Sequence, residues 1–117
     1  YIHAEGQAAG ELKHGSIALI DKDMPIVSIM PEDESFQKSI SNIKECMARE
    51  GMVIAVGNNK ENIPDVHSFI SCPQTDNPAV QAILTTIPTQ LYAYYIALKK
   101  GTDIDQPRNL AKSVTVE

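Results

Sequence analysis

Two short runs of branched apolar residues, Pro25-Ile-Val-Ser-Ile-Met30 and Met52-Val-Ile-Ala-Val56, flank a stretch with a helical period. This arrangement limits the fold more than any other feature of the chain. The runs are too short for core helices and too continuous for a half-solvated sheet, so they read as buried strands. Between them Phe36, Ile40, Ile43 and Met47 form one apolar stripe. Asp33 can cap this helix, which should reach about Glu50 and end at Gly51. Val66–Ile70 reads as a third strand. Asn77-Pro78 then opens a long helix with proline at its favoured first position. Val80, Ile83, Leu84, Ile87, Leu91 and Leu98 keep the helical period; Pro88 should kink the helix, and Lys99, Lys100 and Gly101 close it. Strands alternating with helices predict an α/β fold with a mainly parallel sheet. Three strands are few for a sheet covered on both faces, which points to a piece of a larger domain.

Residues 2–14 read as a first helix closed by Gly15, rich in small residues. Gly6 and Gly10 each weaken it by about 1 kcal/mol relative to alanine. Their presence predicts that a backbone or ligand comes close there. This face and the tyrosines Tyr92, Tyr94 and Tyr95 of the long helix are candidate packing or interface surfaces.

The net charge of -5 over 117 residues, with scattered lysines and arginines, argues against nucleic acid as a partner. No apolar run approaches the roughly 20 residues of a membrane span, so no membrane partner is expected. Cys46 and Cys72 lack CxxC spacing and read as buried thiols of a reducing cytoplasm. The start, YIHAEGQAAG, has neither an initiator methionine nor the pattern of a signal peptide, and reads as cut from something longer.

Chemistry has few candidates. His14, beside Lys13 and before Gly15, can move protons near neutral pH, although its position suits a helix cap better. His3 and His67 share no metal-ligand spacing with it, so no metal is expected. Lys112 lies in the terminal stretch DIDQPRNLAKSVTVE, flanked by Leu110-Ala111 and Val114. Apolar flanks could desolvate it into a Schiff-base amine, but position alone favours an ordinary solvated lysine. Glu5 and Glu11 lie on opposite sides of the expected helix and cannot form a close carboxylate pair there. Neither GxGxxG nor a P-loop occurs, so any phosphate must be held outside this chain.

The stretches HAEGQAAGELKHG (3–15) and KGTDIDQPRNLAKSVTVE (100–117) strongly resemble the C-terminal end of the isomerising glutamine–fructose-6-phosphate aminotransferases, the glucosamine-6-phosphate synthases. The helix IPTQLYAYYIALKKG fits as well, and the resemblance covers the whole chain. It implies a three-layer α-β-α sugar-isomerase (SIS) domain, present here as the C-terminal part of the second such domain over residues 1–101. An active-site tail follows over residues 102–117. It also implies a cytoplasmic homodimeric enzyme that needs no cofactor and whose glutaminase domain releases ammonia. The isomerase half uses that ammonia to convert fructose 6-phosphate to glucosamine 6-phosphate. By motif, Lys112 in NLAKSVTVE would form the Schiff base with the sugar's C2 carbonyl. His14 in GELKHG would open the sugar ring, reaching the neighbouring subunit's site. Ala111 would offer a backbone contact to the sugar. The tail would be apolar because it folds over the site and excludes water.

The resemblance places the family's proton-shuttling glutamate just upstream of Tyr1, so the chain alone is predicted to be inactive. Gln7 stands where many relatives carry an aromatic, and Ser16 where many carry proline, a change expected to loosen the turn that aims His14. The competing reading is a SIS-type module that binds or senses a sugar phosphate without chemistry. The tail lysine discriminates, because sensing would survive Lys112→Arg and synthesis would not.

Overall fold

The computed structural model describes residues 1–108. Lys112, Ala111 and the apolar Val114–Val116 alternation therefore lie outside the described residues. The elements are β1 (Pro25–Met30), α1 (Phe36–Met47), β2 (Met52–Gly57), β3 (Ser68–Ser71) and α2 (Pro78–Lys99). The three strands form one parallel sheet in the order β1-β2-β3.

Register explains the two-sided burial. Ile26, Ser28 and Met30 pair with Val53, Ala55 and Gly57, and Ala55 pairs with Phe69. This face joins Phe36, Ile40, Ile43 and Cys46 of α1 in the core, where Met30 and Ala55 are fully buried. Side chains alternate along a strand, so Ile54 and Val56 point to the opposite face, and α2 packs over β2 there. The result is a three-layer α-β-α arrangement, as the family resemblance implied, with the parallel sheet that the strand–helix alternation predicted. Val27 and Ile29 share the α2 face but sit on the edge strand, and both remain exposed.

α1 begins three residues after Asp33, whose carboxylate accepts from the Ser35 N–H at 2.8 Å and the Ser35 hydroxyl at 2.6 Å. Asp33 thus organises the turn before the helix and does not cap its first N–H groups. At the other end Gly51 N–H bonds Cys46 C=O (3.0 Å) and Glu50 N–H bonds Met47 C=O (2.9 Å), the Schellman pattern. Glu50, not Gly51, takes the left-handed position, with φ 64°. Gly51 is needed for space instead: a Cβ there would meet Ile20 and Ile26 side-chain carbons at 2.7 Å. Glu50→Gly should therefore stabilise the protein by about 0.5–1 kcal/mol, because glycine removes the left-handed penalty of an L-residue. A shift of the urea midpoint at constant slope measures it; an unchanged or lower midpoint would contradict the argument.

The expected helix over 2–14 is mostly absent. Only Ala9–His14 is helical, as a 3-10 helix, followed by a second 3-10 turn at Ser16–Leu19. Residues 1–11 are all exposed, so no packing offsets the helix cost of Gly6 and Gly10. The close approach expected at those glycines is also not seen among the described residues, since a Cβ at either would meet nothing within 4 Å. Gly15 has φ 157° and ψ -54°, not a left-handed helical cap.

α2 starts as its sequence indicates, with the Asn77 carboxamide accepting from Ala79 N–H (3.0 Å) and Val80 N–H (3.3 Å). It ends in a glycine Schellman turn at Gly101, φ 66°. The helix continues through Pro88. The face it turns to the sheet is Gln81, Thr85 and Pro88, while Ile83, Ile87, Leu91, Tyr95 and Leu98 are exposed.

Candidate functional site

Open parallel sheets place their ligand crevice outside the C-terminal ends of the strands. Here that edge is stitched by Asn58, one residue after β2. Its carboxamide oxygen accepts from Glu32 N–H at 2.8 Å, beyond β1, and its amide donates to Cys72 and Pro73 carbonyls at 3.3 and 3.0 Å, beyond β3. Gln81, buried at the start of α2, holds the same loop: its oxygen accepts from Thr75 N–H (3.1 Å) and its amide donates to Pro73 C=O (3.2 Å). A hollow of about 410 Å³ opens beside this edge, lined by Glu32, Asp33, Phe36, Gln37 and Asn62. Two carboxylates and no cation make it a poor phosphate cradle.

Gly57, at the end of β2, lets this edge close. A Cβ there would lie 2.9 Å from the Met30 carbonyl oxygen and 3.0 Å from Ile63 Cδ1. Gly57→Ala should cost about 1–3 kcal/mol by overpacking, read as a lowered denaturation midpoint; wild-type stability would show that the strand ends can move apart freely.

His14 is 72% exposed, and its Nδ1 lies 2.9 Å from Glu11 Oε2. An ionised carboxylate only accepts, so Nδ1 donates in this bond and Nε2 is the ring nitrogen turned away from it. His14 is thus oriented by Glu11 and caps no helix carbonyl among the described residues. The Glu11–His14 spacing of three is the sequence signal for this pair. Glu5 instead meets His3 at 3.2 Å on the surface.

The segment around His14 is anchored twice. Lys13 pairs with Glu45 of α1 at 2.6 Å. The Ser16 hydroxyl donates to the Gln7 carboxamide oxygen at 3.0 Å. This bond links Gln7 and Ser16 across the turn next to His14. The segment's other end lies on the opposite side of the sheet. Tyr1 lines a hollow of about 370 Å³ with Tyr94, Ala97, Ile104 and Pro107. Nothing in the sequence marked Tyr1 or Arg108, yet the Tyr1 hydroxyl accepts from Arg108 N–H (2.6 Å) and the Arg108 guanidinium lies 4.0 Å above the Tyr1 ring centre. Just before it, Asp103 accepts from the N–H groups of Gln106 and Asp105, which hold its carboxyl below the usual range.

Burial pushes the Cys46 thiol up, with Glu45 adding to it, and burial also pushes the Cys72 thiol up, against a hydrogen bond from the Gln81 amide, so neither environment favours a thiolate. No helix among the described residues is long and apolar enough to cross a membrane.

The SIS domain family model matches residues 1–100. Over its whole length the chain is 53% identical to the glutamine–fructose-6-phosphate aminotransferase [isomerizing] of Aquifex aeolicus and 50% identical to that of Caulobacter vibrioides. It covers 20% of each, so the chain spans about a fifth of the length of these curated relatives. A solved structure described as the C-terminal domain of glucosamine-fructose-6-phosphate aminotransferase from Francisella tularensis matches with a TM-score of 0.82 at 42% identity. That match covers 91% of this chain and 30% of the other.

Proposed function

Because the chain belongs to the SIS domain family, we propose that it is the C-terminal part of an isomerising glutamine–fructose-6-phosphate aminotransferase and supplies Lys112 and His14 to the sugar site. The observation that carries this reading is identity at about half of all positions, along the entire chain, to relatives bearing that name.

In this reading His14 Nε2, left free by the Glu11 bond, takes the ring hydroxyl proton of the cyclic sugar and opens it. The neutral Lys112 amine then adds to the C2 carbonyl and water leaves. The resulting iminium withdraws electrons from C1 and acidifies its protons. Ammonia from the glutaminase domain displaces the lysine at C2, and a proton moved from C1 to C2 completes the aldose. Ala111 contributes a backbone contact to the sugar. The phosphate is held by parts of the longer protein, consistent with the acidic lining of the hollow at the strand ends.

The geometry favours a shared site in a homodimer. His14 is exposed and held on the α1 side through Lys13 and Glu45, whereas the root of the tail at Arg108 lies on the α2 side against Tyr1. Free buried thiols and a soluble sugar phosphate substrate suit the cytoplasm.

Borohydride trapping tests the reading. The full-length enzyme is incubated with fructose 6-phosphate, reduced and digested, and the adduct located by mass spectrometry. A sugar on the Lys112 peptide is expected. Its absence, with sugar phosphate binding confirmed separately, would favour a non-catalytic sugar-phosphate sensor.

A further inference from the structure

In the run Glu11-Leu12-Lys13-His14 every side chain has a defined contact. The Glu11 carboxylate holds the His14 ring. Leu12 packs against the core. Lys13 Nζ lies 2.6 Å from Glu45 Oε1 on α1. The 3-10 helix that carries these residues buries none of them, and its backbone bond from Glu11 N–H to Ala8 C=O is local. Among the described residues Lys13–Glu45 is the ion pair that ties this segment to a core helix; the other pairs join residues within three positions of each other. α1 is itself fixed by the burial of Phe36, Ile40, Ile43 and Cys46. Lys13 and His14 have neighbouring Cα atoms, about 3.8 Å apart, so a shift of one carries the other.

We propose that Lys13 and Glu45 are positioning residues for His14, joining it through one ion pair to the packed helix α1; the inference rests on the ring-opening role proposed above. The two side chains are 48% and 38% exposed. Ion pairs so open to water add little to stability. The consequence of this pair is therefore where His14 sits, and not whether the domain folds. The Leu12 contact is apolar and non-directional, so it holds the segment to the core without fixing its position along α1. The ion pair supplies that second restraint. A misplacement of about 1 Å at a reacting group can cost about a hundred-fold in rate. Leu12 and the Glu11 bond remain when the pair is broken, so the expected loss is smaller, about ten-fold. Sugar binding, whose phosphate is held by other parts of the longer protein, would be little changed.

The test uses the full-length enzyme with Lys13→Met, Glu45→Gln, the two combined, His14→Asn, and His14→Asn combined with Glu45→Gln, beside wild type. Each of Lys13→Met and Glu45→Gln should lower kcat for glucosamine 6-phosphate formation about ten-fold. KM for fructose 6-phosphate should stay within about two-fold of wild type, because the lost contact serves the reacting group and not binding. The Lys13→Met/Glu45→Gln protein should be no slower than either single variant, since both changes break one contact. Once His14 is replaced, Glu45→Gln should cost nothing further, since Glu45 acts only through that ring. Wild-type kcat in the Lys13 and Glu45 variants, or losses that multiply when Glu45→Gln is added to His14→Asn, would overturn the positioning role and leave the role of His14 standing. Wild-type kcat in His14→Asn would remove the ring-opening role and the positioning role with it.

Discussion

Replacing Lys112 by arginine in the full-length protein is expected to lower glucosamine 6-phosphate formation at least about a thousand-fold, or about 4 kcal/mol of transition-state stabilisation. The type of cation matters here, not the charge alone. Lysine can lose a proton in a desolvated pocket and become a nucleophile, whereas the guanidinium, with a pKa above about 12, stays protonated and does not condense with a ketone. Arginine keeps the positive charge and most of the length, so a purely electrostatic lysine would tolerate the change. Steady-state synthesis and sugar binding by calorimetry are measured together. Retained binding with lost synthesis is the expected pair; synthesis above about a tenth of wild type would remove Lys112 from the chemistry.

The second large effect concerns His14. His14→Asn keeps a donor near the position of Nδ1, able to face Glu11, but removes the free Nε2. Loss of a positioned acid–base group costs about 10²–10⁴-fold in rate. The proposed homodimer makes a sharper experiment possible. Co-expression of Lys112→Arg and His14→Asn subunits gives mixed dimers in which one shared site combines both wild-type residues. If His14 serves the neighbouring subunit, random pairing restores roughly a quarter of wild-type activity. If His14 serves its own subunit, every mixed site carries one defect and activity stays at the level of the single variants.

Much of the sheet could be read from sequence because its cause is local. A parallel strand buried on both faces must be a short continuous apolar run, so β2 announced itself; β1 carries the same run although its Val27 and Ile29 face stays exposed at the sheet edge, and the stripe of α1 followed from its single buried face. The features that escaped depend on partners distant in the chain. Helix propensity over residues 2–14 had no face to bury, and the segment settled into a short 3-10 helix. The Tyr1 hydroxyl found an N–H at the far end of the described chain. Glu50 takes the left-handed position while Gly51 answers to the small space left by Ile20 and Ile26, a division that a glycine-at-the-cap rule does not foresee. For the site, motif resemblance singled out His14, and the structure added Glu11 as the group that orients it.

α2 has one further consequence, for how freely this helix can drift in sequence. A surface helix with one solvated side accepts substitutions over about half its circumference, since exposed changes usually cost little. In α2 one side is already committed. Its polar stripe, Gln81 and Thr85, is spent on the loop after β3 and on its own carbonyls, and Pro88 is buried beside them. The stripe with Ile83, Ile87, Leu91 and Leu98 is exposed among the described residues. Mutational tolerance along α2 is therefore narrowest at Gln81, Thr85 and Pro88, and at Gln81 an apolar replacement would strand the loop N–H and carbonyl groups that its side chain satisfies.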